Sequence, residues 1–236
     1  MLSIIVSSFS LSSSGIINFL RLVMKWVLSA MKILFLCFLL FYPLYVSANN
    51  FDVPGCGNLS NAYGPFDYTN PYHYGQKLKI VEGAHFSPEI ERLIERKGKN
   101  RVIDDLDYTL RAFPNHHRAL MSVARYRILN PWKYGERFKS ADCYFKRALA
   151  LNPNDANVYM IYGIYKHKLK KYDEAEKLYL KALVFIPDSA ELQYNIGLLY
   201  FAKQDYDKAK KFAKEAYRQN FPLKGLENKL KKNGVW

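Results

Sequence analysis

A period of 34 residues in the C-terminal half of the sequence constrains the fold more than any other feature. Six pairs of identical residues recur at that spacing. The pairs are Pro153 and Pro187, Gly163 and Gly197, Tyr172 and Tyr206, Asp173 and Asp207, Ala175 and Ala209, and Ala182 and Ala216. A fixed period of this length is typical of solenoids whose unit is two helices joined by a turn. The period therefore predicts an all-α fold.

The small residues of the repeat indicate how its two helices pack. Gly163 and Gly197 lie in the first helix of each pair, where a larger side chain would push the facing helix away. Ala175 and Ala182 lie on one face of the second helix, where close packing again needs small side chains. Pro187 follows that helix and ends it. The predicted order is therefore helix, turn, helix, proline.

These residues resemble the tetratricopeptide repeat (TPR) family, whose pattern is W-x2-L-G-x2-Y, then A-x3-F-x2-A, then P. Two units match it, over residues 154–187 and 188–221, and a degenerate unit spans residues 115–153. In that unit the step from one proline to the next is 39 residues rather than 34, and the extra residues fall in its turn, around 130–135. The resemblance implies a TPR-type helix–turn–helix α-solenoid over residues 115–221.

Predicted caps flank the repeats. Helices over residues 88–97 and 101–112 form an atypical capping pair within residues 87–114. Residues 222–236 contain an amphipathic helix that predicts a C-terminal cap. A solenoid needs such caps because its end units would otherwise expose an apolar face.

An N-terminal extension over residues 49–86 precedes the caps. It is rich in Gly, Pro, Asn and Tyr, and its many aromatic residues argue against disorder. It is predicted to be ordered and mostly non-helical, with a short extended segment at 78–81. The stretches GPFDY (64–68), VEGAHF (81–86) and DLDYTLRAFPNHHRAL (105–120) resemble exported Gram-negative TPR proteins, a group without a settled activity.

Residues 31–48 have the pattern of a secretory signal peptide. Lys32 gives a positive start, about 14 apolar residues follow, and a small-residue cleavage site ends the segment. Cleavage would leave Asn49 as the mature N terminus, and residues 1–30 would then be an overextended gene start. The alternative is an uncleaved anchor over residues 26–46. The pattern predicts a periplasmic or secreted protein with no membrane span after cleavage.

The charge of the chain bears on its partners. The formal net charge is +14, and it falls to +11 when residues 1–48 are removed. Export argues against nucleic acid as the partner of so basic a chain. The lysines fall mainly on exposed helix positions and indicate a solvated face. Attraction to an anionic envelope surface is the alternative.

Two cysteines remain after the predicted cleavage, Cys56 in the extension and Cys143 in a repeat helix. An even count in an oxidising compartment favours a disulfide. Cys143 lies two residues after Ala141, which packs on the partner helix, so its side chain should point outwards to where the extension can reach it. Two unpaired thiols are the alternative.

The histidines are candidates for chemistry. His116 and His117 are adjacent, so their side chains diverge, whereas helical metal ligands favour a spacing of four residues. His85 and His116 could converge with Glu82 or Asp107. The sequence has no HExxH, GxSxG, P-loop or CxxC motif. We therefore expect structural roles, with His85, His116 and His117 as weak metal candidates and no cofactor.

The family binds peptides on the concave face formed by the first helix of each unit. Projection onto this chain gives Arg118, Met121, Arg125, Asn157, Met160, Ile164, His167, Tyr194, Leu198 and Phe201. Methionine and aromatic side chains suit an apolar or aromatic peptide, and the arginines suit an acidic group. The lysine and asparagine clamp of some family members is not reproduced. The chain's own extension is the alternative occupant.

The preferred interpretation is an exported scaffold or adaptor, not an enzyme, that binds a protein or peptide partner in envelope assembly or secretion. The first alternative is a periplasmic enzyme or metal-binding protein that uses His85, His116 and His117. The second is a protein that binds an anionic envelope surface through its lysines.

Overall fold

The computed structural model describes residues 21–32, 52–95, 97–98, 101–131 and 138–236. The chain divides into two units, residues 1–50 and 51–236. In the first unit, residues 21–32 form helix α1, whose side chains are all exposed. The predicted signal peptide lies outside the described residues from residue 33 onwards. Among the helices described, none is long and apolar enough to cross a membrane.

Three antiparallel helix pairs form the body of the second unit. They are α6 (His117–Leu129) with α7 (Ala141–Leu151), α8 (Ala156–Lys168) with α9 (Tyr172–Phe185), and α10 (Ala190–Ala202) with α11 (Tyr206–Arg218). Asp155 and Ser189 are the N-caps of α8 and α10, and each accepts a hydrogen bond from the backbone N–H three residues on. The predicted all-α helix–turn–helix solenoid is confirmed. The extra turn residues 132–137 lie outside the described residues.

The glycines of the repeat lie at close contacts, as predicted. A Cβ at Gly163 would be 2.5 Å from ring carbons of Tyr179 on α9. A Cβ at Gly197 would be 2.5 Å from Leu226 and 3.3 Å from the carbonyl oxygen of Ala209. Each separation is below the normal contact distance between carbon atoms or between carbon and oxygen. Only glycine therefore fits these positions without movement of its neighbours.

Two apolar clusters share helix α8. The first runs from the capping helices to α8 and includes Tyr162 and Tyr165, which stand on one side of that helix. The second contains Met160 and the small residues of α9 to α11. Helix α12 (Gly225–Lys232) closes the second cluster, because its Leu226 and Leu230 are both fully buried. The solenoid thus ends in a helix with one apolar face and a lysine-rich back.

One capping helix is shorter than predicted. Helix α4 covers only Pro88–Glu91, whereas the sequence pattern predicted a helix to residue 97. The difference arises because Leu93 adopts a left-handed backbone with φ of 66° and ends the helix. Helix α5 (Val102–Ala112) matches its predicted range closely.

The described part of the extension, residues 52–86, is ordered, and its first element is a tight antiparallel pair, β1 (Asp52–Val53) with β2 (Gly57–Asn58). Short helical segments follow, and the prediction of an extended segment at 78–81 is wrong. The segments are α2 (Pro71–His73), a π-helical stretch (Tyr74–Leu78) and α3 (Lys79–His85). Leu78 and Val81 lie three residues apart on one helical face, and both are buried in a cluster with Phe113. Burial of both side chains on Phe113 requires this helical spacing rather than alternation.

Candidate functional site

The predicted groove residues come from the first helices, α6, α8 and α10, and six of the ten fall into three groups. Met121, Arg125 and Ile164 line one open pocket between α6 and α8. Arg118 is held by one carboxylate of the extension and one of the capping region. Met160 and Tyr194 are buried in the second cluster.

The pocket between α6 and α8 has a volume of about 450 Å³ and mainly apolar walls. We call it the α6–α8 pocket. Its lining residues are Met121, Ala124, Arg125, Ile128, Leu129, Ile164, Tyr165 and Lys168. Leu129 remains 69% exposed although it is large and apolar. The described residues of the extension contribute nothing to this lining, so the described extension does not fill the pocket.

Two cations stand at the rim of the α6–α8 pocket. Arg125 and Lys168 are both exposed, and neither has an ion-pair partner among the residues that the structure describes. An apolar pocket with unpaired cations at its edge can bind an apolar side chain that has an acidic neighbour.

Arg118 is engaged within the chain. Its guanidinium donates to both carboxylate oxygens of Glu91, at 2.9 Å and 2.5 Å, and lies 3.5 Å from Glu82. These hydrogen bonds hold the pKa of Glu91 below its usual range. Its guanidinium also lies 5.2 Å from the ring centre of Phe86 in the extension. Arg118 therefore joins the cap to the repeats instead of presenting a free charge.

The far end of the predicted groove is covered by the C-terminal segment. Tyr194 is only 8% exposed, and its ring centre lies 4.6 Å from that of Phe221. Phe201 is half-buried, with its ring centre 5.4 Å from that of Tyr206. Removal of the Tyr194 side chain would therefore disturb the core as well as any groove, which makes it a poor probe of binding.

The remaining predicted groove residues differ in exposure. Asn157 is exposed and Leu198 is half-buried. His167 is half-buried beside Tyr172, with 5.7 Å between the ring centres, and burial lowers its pKa. None of these three lines the α6–α8 pocket.

Three histidines each pair with one carboxylate. His85 contacts Asp105, His116 contacts Glu82, and His117 contacts Asp155, each at 2.9 Å. The sequence suggested Glu82 or Asp107 as partners, and only the pairing with Glu82 is formed. In the part of the chain that the structure describes, no group of three His, Cys, Asp or Glu side chains could hold a metal ion.

His116 is the most constrained of these histidines, since it is fully buried at the start of α6. Its Nδ1 accepts the backbone N–H of Ala119, so the proton lies on Nε2, which donates to Glu82. Burial lowers the pKa of His116, and the hydrogen bond from His116 lowers the pKa of Glu82. The neutral imidazole of His116 thus both caps helix α6 and binds Glu82 of the extension.

Asn115 is a connecting residue that the sequence analysis missed. It is fully buried, and its amide donates to Asp67 of the extension and to Asp155, the N-cap of α8. Its carbonyl oxygen accepts the backbone N–H of Tyr68. In the sequence, an asparagine before a helix indicates only a helix cap. The role of Asn115 could not be predicted, because its partners are 40 or more residues away.

Cys56 and Cys143 form the predicted disulfide, with 2.00 Å between the sulfurs. Arg147, one turn further along α7, supports the same junction. Its guanidinium donates to the carbonyl oxygens of Gly57 and Asn58, at 3.0 Å and 2.7 Å. A covalent bond and a buried arginine therefore fix the start of the extension on α7.

Comparison with known proteins supports the repeat assignment. A family model described as "Tetratricopeptide repeat" matches residues 154–219. The Protein O-mannosyl-transferase TMTC3 of Mus musculus is 27% identical over 100 residues, which are 42% of this chain and 10% of that protein. The Homo sapiens protein of the same name is 26% identical over 111 residues, which are 47% of this chain and 12% of that protein.

The chain therefore spans only about a tenth of the length of these curated relatives. A solved structure titled "Crystal structure of MamA" is 21% identical, covers 57% of this chain and 70% of that chain, and has a TM-score of 0.38. The 34-residue repeat pattern and the observed helix pairs agree with the family match. Residues 154–219 of this chain are tetratricopeptide repeats.

Proposed function

We propose that this chain is an exported scaffold that binds a segment of another protein in the α6–α8 pocket. The observation that carries the proposal is the pairing of apolar walls with two unpaired rim cations, Arg125 and Lys168. Helix–turn–helix repeats commonly present such a concave surface to partners. The proposed ligand is a peptide segment with one apolar or aromatic anchor next to an acidic side chain.

The pocket chemistry explains this choice of ligand. Met121 and Ile164 are flexible or aliphatic and can adjust to anchors of different shape. The rim cations attract a carboxylate without first breaking an ion pair, so little of the binding free energy is lost. A basic peptide would place like charges together at the same rim.

A peptide-binding measurement tests the proposal. Fluorescent peptides with a leucine or phenylalanine beside aspartate should bind, and matched peptides with lysine in place of aspartate should not. The double variant Arg125→Glu with Lys168→Glu should bind the acidic peptides about tenfold more weakly or worse, because two attractions become repulsions.

The matched control is Lys177→Glu with Lys181→Glu, which makes the same charge change on exposed positions of α9. It should retain nearly all of the affinity. Equal loss in both variants, or equal binding of acidic and basic peptides, would remove the pocket from the proposal.

Export is a separate part of the proposal. The signal-peptide pattern at 31–48 supports it, and so does the Cys56–Cys143 disulfide, because such bonds persist mainly in oxidising compartments. Protein recovered from the periplasm of a Gram-negative host should begin at Asn49 by N-terminal sequencing. An intact mass that still contains residues 31–48 would indicate an anchor instead.

A further inference from the structure

The positive charge of the chain is concentrated at one end. Residues 206–236 contain nine Lys or Arg and three Asp or Glu, against a net charge of +14 for all 236 residues. Arg218 pairs with Glu215, and Lys231 pairs with Glu227. Five lysines in this stretch have no ion-pair partner among the described residues. They are Lys210, Lys211, Lys214, Lys229 and Lys232.

Exposed apolar side chains lie within this basic end. Leu223 is 57% exposed and Trp236 is 37% exposed. Both residues lie next to Tyr217. The Tyr217 hydroxyl donates to the Leu223 carbonyl, and the Tyr217 ring centre lies 5.8 Å from that of Trp236. Lys224 reaches over the same ring, with its Nζ 4.5 Å from the ring centre. We call this group around Tyr217 the C-terminal patch.

Lysines of α11 border the C-terminal patch. Lys214 lies three residues before Tyr217 and Lys211 three residues before Lys214, so the three residues follow one side of the helix. The patch thus combines an aromatic ring and a leucine with flexible cations around them. Peripheral membrane segments use this composition, in which apolar side chains enter the headgroup boundary and lysines attract anionic lipid.

We infer that the C-terminal patch docks on the surface of an anionic lipid bilayer, with Leu223 and Trp236 at the boundary between headgroups and acyl chains. The contact is separate from the α6–α8 pocket, so it holds whether or not that pocket binds a peptide. It would bring the scaffold to a membrane surface.

A bilayer fits the patch better than a nucleic acid does. Lysine attracts phosphate in either partner, but Leu223 gains nothing from a polyanion and gains burial from lipid. Arg218, the arginine nearest the patch in sequence, is occupied by Glu215. The apolar contact therefore distinguishes the two partners, and the experiment below separates them.

Quenching of Trp236 fluorescence by brominated acyl chains reports the patch directly. The full chain would carry Trp26→Phe and Trp132→Phe, which leaves Trp236 as its one tryptophan. Brominated vesicles of phosphatidylcholine with phosphatidylglycerol should quench the fluorescence, and vesicles of phosphatidylcholine alone should quench it far less. High salt should weaken the effect.

Variants in this background locate the contact. Lys211→Glu with Lys214→Glu should weaken vesicle binding about tenfold or more, since each lysine near an anionic surface contributes substantially. Lys177→Glu with Lys181→Glu on α9 makes the same charge change and should change binding less than about threefold. Leu223→Ser should reduce quenching while the circular dichroism of the protein stays unchanged, because Leu223 is exposed.

Three results would overturn the inference. They are an unquenched Trp236 on anionic vesicles, an equal loss of binding in the two lysine variants, and binding of single-stranded RNA without quenching by vesicles. The last result would assign the lysines to nucleic acid.

Discussion

At the scale of single residues, His116 links the protonation state of one side chain to the stability of the fold. Its Nδ1 accepts a backbone N–H and therefore has no room for a proton. Because burial lowers its pKa, the unfolded chain takes up a proton at a higher pH than the folded chain does. The stability that the neutral imidazole of His116 gives the fold is fully present above the unfolded pKa near 6.5. It is lost as the pH falls towards the folded pKa.

We therefore expect the melting temperature to fall as the pH is lowered from neutral to about 5. The variant His116→Asn keeps a side-chain acceptor for the Ala119 N–H but cannot take up the proton. Its melting temperature should be lower than that of the parent at neutral pH, since Glu82 loses its imidazole partner, and its dependence on pH should be shallower. Parallel pH curves for the two proteins would show that another group causes the loss.

At the scale of elements, the close contact between α8 and α9 depends on glycine at position 163, which has no side chain. Gly163→Ala would place a methyl group 2.5 Å from the ring of Tyr179, which is 1% exposed and has little space to move. Such overpacking should lower the free energy of unfolding by about 1–3 kcal/mol. Chemical denaturation followed by circular dichroism measures the change.

Gly83→Ala is the matched control. Gly83 lies inside α3, and a Cβ there would meet no atom within 4 Å. Alanine is the better helix former, so this variant should be neutral or more stable by up to about 1 kcal/mol. A stable Gly163→Ala protein would mean that the contact is looser than described.

At the scale of the whole molecule, the disulfide ties two distant parts of the chain together. The bond joins residues 87 positions apart. Closure of a loop of that order stabilises a protein by roughly 4 kcal/mol in the chain-entropy model. We expect reduction to lower the denaturation midpoint by a corresponding amount, although Arg147 still holds the β1–β2 turn by hydrogen bonds.

The loss of stability on reduction of the disulfide should also be local. Hydrogen exchange on reduction should accelerate first in residues 52–59 and in α7, which the bond joins, and least in α10 and α11, which belong to the other apolar cluster. Cys56→Ser with Cys143→Ser should reproduce the pattern without reductant. Uniform acceleration across all helices would contradict it and would indicate one cooperative unit.

The sequence predicted those features whose signal lies in local spacing. Gly163 and Gly197 recur at the repeat period. The Cys56–Cys143 pair is a separate case, because it was predicted from the even number of cysteines and the outward position of Cys143. The contacts of the extension could not be predicted this way, because Asn115 has partners more than 40 residues before it and 40 residues after it. Periodicity predicted Tyr194 on the concave face but could not reveal that Phe221 covers it.

Helix α12 has a consequence for assembly. An uncapped solenoid offers the same apolar end to every copy, and such head-to-tail contacts do not close, so they grow into filaments. Here Leu226 fills the space beside Gly197 that the first helix of a further repeat, or of a second copy, would need. The outer side of α12 carries lysines, so it offers no apolar face to the first unit of another copy. The eight residues of α12 thus cover the apolar end of the last repeat, so that this end is not open to another copy.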